Sequence, residues 1–288
     1  PIKRWQSVAQ FWRRYYLSAR CVGPGECVNL QKAFRLVEPI AAAFVGAGGK
    51  TTSIFQMARS LQYPAVVTTT THMGVWQMQR GDRWIVGMPG LGQMEQMANG
   101  VSIITGEPDA YGKVGSLPVE KLARLYDICK EKGWNLLIEA DGAKQLPLKA
   151  PGEYEPVIPA WVDLVVVVAG LMGLGQSCDA AHIHRPDRFA TLSGLKPDEK
   201  VREEHLLAVL SSGAGGLKSI PEKSRKVLLL NQADDERMAA AGRRLADPGW
   251  RRPASAGRRR TRPTAAGGRH VDRRRPGRGR PALRPAPP

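Results

Sequence analysis

The chain has 288 residues, 42% of them apolar, and a formal net charge of +17 at pH 7. That length and apolar share suit one large α/β domain or two small ones, and they argue for a globular protein with a filled core. The excess charge sits at the ends: residues 1–27 carry 5 basic and 1 acidic side chains and residues 242–288 carry 15 Arg and 2 acids, whereas residues 28–241 balance at 23 of each, so the body is neutral and the basic excess that would suggest a nucleic-acid binder belongs to the arms.

At the N-terminus, Trp5, Phe11, Trp12, Tyr15 and Tyr16 are interrupted by Arg13 and Arg14, so no continuous apolar region of a signal peptide forms. Residues 1–27 read as a non-native or disordered extension, because Val28 to Phe34 looks like the natural beginning of an amphipathic helix and Val28 could mark an alternative start codon. Cys21, Cys27, Cys129 and Cys178 form no C-x-x-C pair and are too sparse for a disulfide framework, which points to buried structural thiols in a reducing cytoplasm.

Strand-like runs follow at Ala41–Val45, Ala65–Thr71, Trp84–Val86, Val101–Thr105, Leu136–Glu139, Asp163–Ala169 and Lys226–Leu230, with helical patterns between several of them. This alternation predicts an α/β fold with a largely parallel sheet flanked by helices. Pro118 to Lys132 reads as one of those helices, with Leu122, Leu125 and Ile128 on one face and Gly133 as its stop. The most apolar stretch, Leu164 to Leu174, is too short for the roughly 20 residues of a membrane helix, so no membrane span is expected.

The first strand runs into Gly46-Ala47-Gly48-Gly49-Lys50-Thr51-Thr52, and Ile54, Met57, Ala58 and Leu61 then recur at helical spacing. Strand, glycine loop and helix in this order make a phosphate-binding P-loop. Glycines let backbone N–H groups turn toward phosphate oxygens, the helix adds its positive N-terminal end, and a lysine reaches the terminal phosphates. The spacing is the short G-x-x-G-K-T-T form rather than the longer common one. Gly46, Ala47, Gly48, Gly49, Lys50, Thr51 and Thr52 are therefore the candidate nucleotide contacts, and Thr51 is a candidate magnesium ligand.

Two further strand ends carry chemistry. Leu136-Leu137-Ile138-Glu139-Ala140-Asp141 is an apolar strand ending in two acids, and its i, i+2 spacing would put Glu139 and Asp141 on one face, costly unless a cation lies between them. Both are candidate magnesium partners. Thr68 to Thr71 form a hydroxyl row at the C-terminal edge where α/β sheets bind ligands, with Thr70 a candidate contact, although threonine is also an ordinary strand residue.

Leu230-Asn231-Gln232-Ala233-Asp234 resembles the N-K-x-D element of GTPases, with Asn231 supporting the loop, Asp234 accepting from guanine, and Gln232 standing where the lysine would be. His182 and His184 lack a nearby third histidine and Cys178 does not complete a set, so zinc is disfavoured and His184 with Arg185 reads as polar substrate contacts. Lys144, Lys149, Glu153 and Glu155 lie in or beside a proline-punctuated loop, Leu146 to Pro159, which reads as a substrate or partner lid. Residues 247–288 are Arg-, Pro-, Gly- and Ala-rich, a composition that predicts disorder; out-of-frame translation of GC-rich DNA yields this residue set, and RNA binding by such a tail would be incidental.

Taken together, the loop from Val45 to Thr51, Thr68 to Thr71, Glu139 to Lys144, Leu146 to Pro151, Glu155 to Pro159, His184-Arg185-Pro186 and Leu230-Asn231 resemble the YqeC family over about Val28 to Ala246. That family is described as accessory proteins of selenium-dependent molybdenum hydroxylases, so the resemblance implies a role in maturing a molybdenum-cofactor enzyme. Its short P-loop is also similar to that of Mur ligases. The expectation is a cytoplasmic P-loop NTPase domain, residues 28–246, that binds Mg2+ and ATP or GTP, with Lys50, Glu139 and Asp141 as its catalytic set. The alternatives are an RNA-binding protein acting through its Arg-rich arms and a nucleotide-dependent ligase.

Overall fold

The computed structural model describes residues 29–246. The expectations for residues 1–27, for Val28 and for the tail at 247–288, with the RNA-binding reading that depends on the arms, lie outside the described residues.

Seven strands build one sheet in which every neighbouring pair is parallel: β1 (Ala41–Gly46), β2 (Ala65–Thr69), β4 (Arg83–Val86), β5 (Val101–Thr105), β7 (Asn135–Glu139), β9 (Leu164–Gly170) and β11 (Arg225–Asn231), in the spatial order β11-β9-β1-β7-β2-β5-β4. Four two-residue strands stand outside it. Of these, β3 (Met73–Gly74) pairs antiparallel with β6 (Lys113–Val114), and β8 (Leu148–Lys149) pairs parallel with β10 (Ile183–His184). The sheet expected from the sequence is thus present, with each long strand within two residues of its expected bounds.

Helices cover both faces. On one side lie α1 (Leu30–Phe34), capped by the Asn29 side chain, which accepts from the Lys32 N–H, and α2 (Lys50–Ser60). There Ala42 and Phe44 of β1 pack with Phe34, Ile54 and Met57. On the other side α4 (Val119–Lys132), α5 (Pro186–Ser193), α6 (Glu203–Leu210) and α7 (Glu236–Ala246) bring Leu125, Phe189, Leu206 and Leu245 onto Ala41, Ala43 and Val45. Alternate residues of each central strand feed opposite cores, which is why these strands read as unbroken apolar runs. The short α3 (Leu91–Gln96) lies between β4 and β5 in the chain.

In α4 the buried stripe is Leu122, Leu125 and Cys129, so Cys129 takes the place expected for Ile128, and burial pushes its thiol up to about 12. Its helix ends at Gly133 in a left-handed cap, as the sequence predicts. No helix among the described residues is long and apolar enough to cross a membrane.

Candidate functional site

All seven strands of the sheet run the same way, so their C-terminal ends share one edge. The chain leaves β1 on one side toward β2 and later crosses to the other side for β9 and β11. The loop after β1 sits where these two directions part, the usual place for a ligand in an open parallel sheet.

That loop, Ala47 to Gly49, ends in Gly49 at φ +111, the N-cap of α2. A left-handed cap lets the chain turn sharply from strand to helix. Because Gly49 has no side chain to cap the helix, the N–H groups of Lys50, Thr51 and Thr52 face the cleft as donors with the positive end of the helix behind them. The loop is pinned from three sides: Ala47 N–H donates to Val168 O at 2.9 Å, Gly48 N–H to Leu146 O at 3.0 Å, and Asn231 Nδ2 to Gly48 O at 2.9 Å. Asn231 thus braces the loop.

The two acids at the end of β7 part company. The strand stops at Glu139, so its alternation does not extend to Asp141. Glu139 lines the cleft and accepts from Thr51 Oγ1 at 2.7 Å; burial raises its carboxyl above the usual range, against the pull of Lys50 and the Thr51 bond. Its own peptide is held by Thr69, whose hydroxyl donates to Glu139 O at 2.9 Å.

Asp141, only 1% exposed, turns beneath the loop instead. Its Oδ2 accepts from Gly46 N–H and from Lys149 Nζ, both at 2.9 Å, and its Oδ1 meets Lys50 Nζ as an ion pair at 3.1 Å. Lys50 also donates to Gly46 O at 2.7 Å.

Lys149 carries this network outward. Its buried ammonium touches Asp141, Gly142 O at 2.6 Å and Glu155 Oε2 at 2.8 Å, and Glu155 in turn is gripped by Arg185 at 2.7 and 2.9 Å. Burial opposes ionisation of Glu155, yet the Arg185 and Lys149 bonds outweigh it and hold the carboxyl down at about 2. The segment expected as a lid is thus anchored, with Leu148, Lys149 and Ala150 all buried. Thr70 fastens its far end by donating to Val157 O at 2.7 Å.

The resulting cleft has a volume of about 700 Å³, within the range of ligand sites. Its floor is Gly48 to Thr52 with Glu139; one rim bears Lys144, His184 and Arg185, and the other bears Trp76, Arg80 and Tyr111. Gly46, Ala47, Asp141 and Lys149 line a small inner cavity behind the floor. Asp234 is exposed and is not among the cleft-lining residues. The aromatic rim was not foreseen from the sequence: Trp76 belongs to a 3-10 turn, Val75–Arg80, and Tyr111 to the loop before β6, brought together by the two-residue β3–β6 pair. An isolated aromatic carries no periodic signal.

Magnesium fits one part of this set. Among the described residues no group of three or more His, Cys, Asp or Glu is placed to hold a metal ion, but magnesium is commonly held by one or two protein groups together with phosphate oxygens. The buried Glu139 carboxylate beside the Thr51 hydroxyl offers such a pair on the cleft floor, whereas Asp141 is engaged by two lysines.

Burial, reinforced by Arg185, Lys149 and Lys144, pushes His184 down to about 4 from the usual 6.5. Its imidazole is therefore neutral near pH 7. The unfolded chain takes up this proton first, so stability is full above about pH 6.5 and declines as pH falls toward 4. Glu155 contributes further stability that is present above about 4.5 and lost as pH falls toward 2. Denaturant unfolding at a series of pH values should show both, and His184→Gln should flatten the upper part alone.

Comparison with known proteins places the chain. The profile of the family described as YqeC protein matches residues 42–187. The "Uncharacterized protein YqeC" of Escherichia coli (strain K12) is 32% identical over 217 residues, covering 73% of this chain and 82% of the relative. No solved structure matches. The matched span takes in the loop after β1, Glu139 at the end of β7 and Asp141 beyond it, Lys149 and Arg185, and the chain belongs to the YqeC family.

Proposed function

We propose that this protein binds a magnesium nucleoside triphosphate in the cleft and hydrolyses it to drive a maturation or delivery step in the cytoplasm. The carrying observation is the glycine loop that delivers Lys50 and Thr51 to the N-terminus of α2, beside Glu139, on the floor of a large cleft. The backbone N–H groups of the first turn would hold phosphate oxygens. Magnesium, when bound, would neutralise phosphate charge, with Thr51 and Glu139 as its protein partners.

Lys50 would leave Gly46 O and extend toward the terminal phosphates, with Asp141 as the anchor it leaves behind. Glu139, which accepts from the Thr51 hydroxyl on the cleft floor, would orient the attacking water. The client, a selenium-dependent molybdenum hydroxylase or its cofactor, rests on the family resemblance alone. Lys144, with the neutral imidazole of His184 as a hydrogen-bonding partner, would meet an anionic group of that client.

The test is calorimetric titration of the full chain with Mg-ATP and Mg-GTP, followed by phosphate release. Binding of at least one nucleotide with slow turnover, accelerated by the client, supports the reading; absence of binding to either defeats it. A second reading, a nucleotide-dependent ligase, is favoured by the basic Lys144 and Arg185 that also line the cleft, and it requires phosphate release that appears only with an anionic acceptor.

A further inference from the structure

We infer that the indole of Trp76 is the stacking platform for the nucleobase, with Tyr111 as a second aromatic wall, so that the protein accepts adenine and guanine triphosphates alike. This inference rests on nucleotide binding in the cleft and names where the base goes. Two places compete for it. The first is the Asn231–Asp234 segment, which sequence resemblance to GTPases favours. There Asn231 is committed to Gly48 O, and Asp234, exposed, does not line the cleft. Of this segment, Gln232 lines the cleft.

The second place is the rim formed by the 3-10 turn Val75–Arg80. Trp76 is 51% exposed and Tyr111 89% exposed, yet both line the cleft. Their segments are tied together by the β3–β6 pair and by Val75 N–H donating to Gly112 O at 2.9 Å. The same turn reaches the phosphate end: Gln77 Nε2 lies 3.4 Å from Thr51 Oγ1, and Arg80 NH1 lies 3.5 Å from Thr52 Oγ1. The platform therefore stands beside the first turn of α2.

The indole is also positioned rather than loose. Arg80 stands 5.9 Å from its ring centroid, within cation–π range. A Cβ at Gly74 would collide with the indole nitrogen, so glycine is the residue that makes room for this orientation. Stacking on an aromatic face is tolerant of base identity because every base presents a π surface. Hydrogen-bond readout, in contrast, would select one purine.

Three ligands separate the possibilities: Mg-ATP, Mg-GTP and magnesium tripolyphosphate, each titrated into the full chain and into Trp76→Ala, Trp76→Phe and Asp234→Ala. Stacking by alanine substitution is worth about 1–3 kcal/mol per base, so Trp76→Ala should weaken both nucleotides by roughly fivefold or more and leave tripolyphosphate unchanged. Trp76→Phe should restore most of the loss, which excludes misfolding, and Asp234→Ala should have no effect. If the parent binds nucleotide and Trp76→Ala binds it equally well, or if Asp234→Ala abolishes GTP binding alone, the base lies elsewhere and this inference fails while nucleotide binding stands. If the parent binds none of the three ligands, both fall together.

Discussion

Replacing Gly46 by alanine should cost about 3–5 kcal/mol of stability, near the upper end for a single substitution. Gly46 closes β1 at φ +97, and a Cβ there would overlap the carbonyl oxygen of Val168 on β9, which already accepts the Ala47 N–H. Neither obstacle is a flexible side chain. The backbone must shift, and with it go the Gly46 N–H bond to Asp141 and the Gly46 carbonyl that receives Lys50. At about 2–4 °C per kcal/mol for a domain of this size, the melting temperature should fall by roughly 10 °C. Gly87→Ala is the matched control, because Gly87 has φ +79 but nothing within 4 Å of an added Cβ. It should lose only about 1 kcal/mol, the backbone part. Equal losses in the two variants would show that the β1–β9 contact is not the cause.

Lys149→Met should be the most damaging change to a side chain in the site. Its ammonium is buried between Asp141 and Glu155 and donates to Gly142 O as well. Methionine keeps the volume but strands two carboxylates, and breaking a buried pair by removing one partner costs about 3–5 kcal/mol. Here the loss should lie toward the lower figure, since Asp141 retains Gly46 N–H and Lys50 and Glu155 retains Arg185. Adding Asp141→Asn to Lys149→Met should recover nothing, because it would remove the carboxylate that the buried Lys50 still pairs with. Urea unfolding of the single and double variants measures both. A loss below 1 kcal/mol in the single variant would mean that water replaces the ammonium freely.

The parts of this protein legible in its sequence are those with a period or a punctuation mark. The long strands are apolar and β-branched because both faces of the sheet are covered, and Gly133 stops α4 in the conformation that favours glycine. The glycine loop was readable because strand, loop and helix occur in order. What the sequence does not display is pairing across long separations by very short strands. Leu148–Lys149 meets Ile183–His184, and Met73–Gly74 meets Lys113–Val114, through two residues each. No period exists in two residues, yet these pairs bury Lys149 and bring Trp76 and Tyr111 to one rim. The separate fates of Glu139 and Asp141 escape for a related reason, since their common face presumes a strand that continues two residues further than β7 does.

Lys50 links the loop, the acids and the cleft, and it offers the most direct measurement. Titrating Mg-ATP and Mg-GTP into the full chain and into Lys50→Ala should show nucleotide bound by the parent and at least about tenfold weaker in the variant, about 1.4 kcal/mol, with Asp141 still satisfied by Gly46 N–H and Lys149 so that the fold survives. A folded Lys50→Ala protein that binds magnesium nucleotide as tightly as its parent would contradict phosphate binding at Gly46 to Thr52 and reduce that segment to a turn between a strand and a helix.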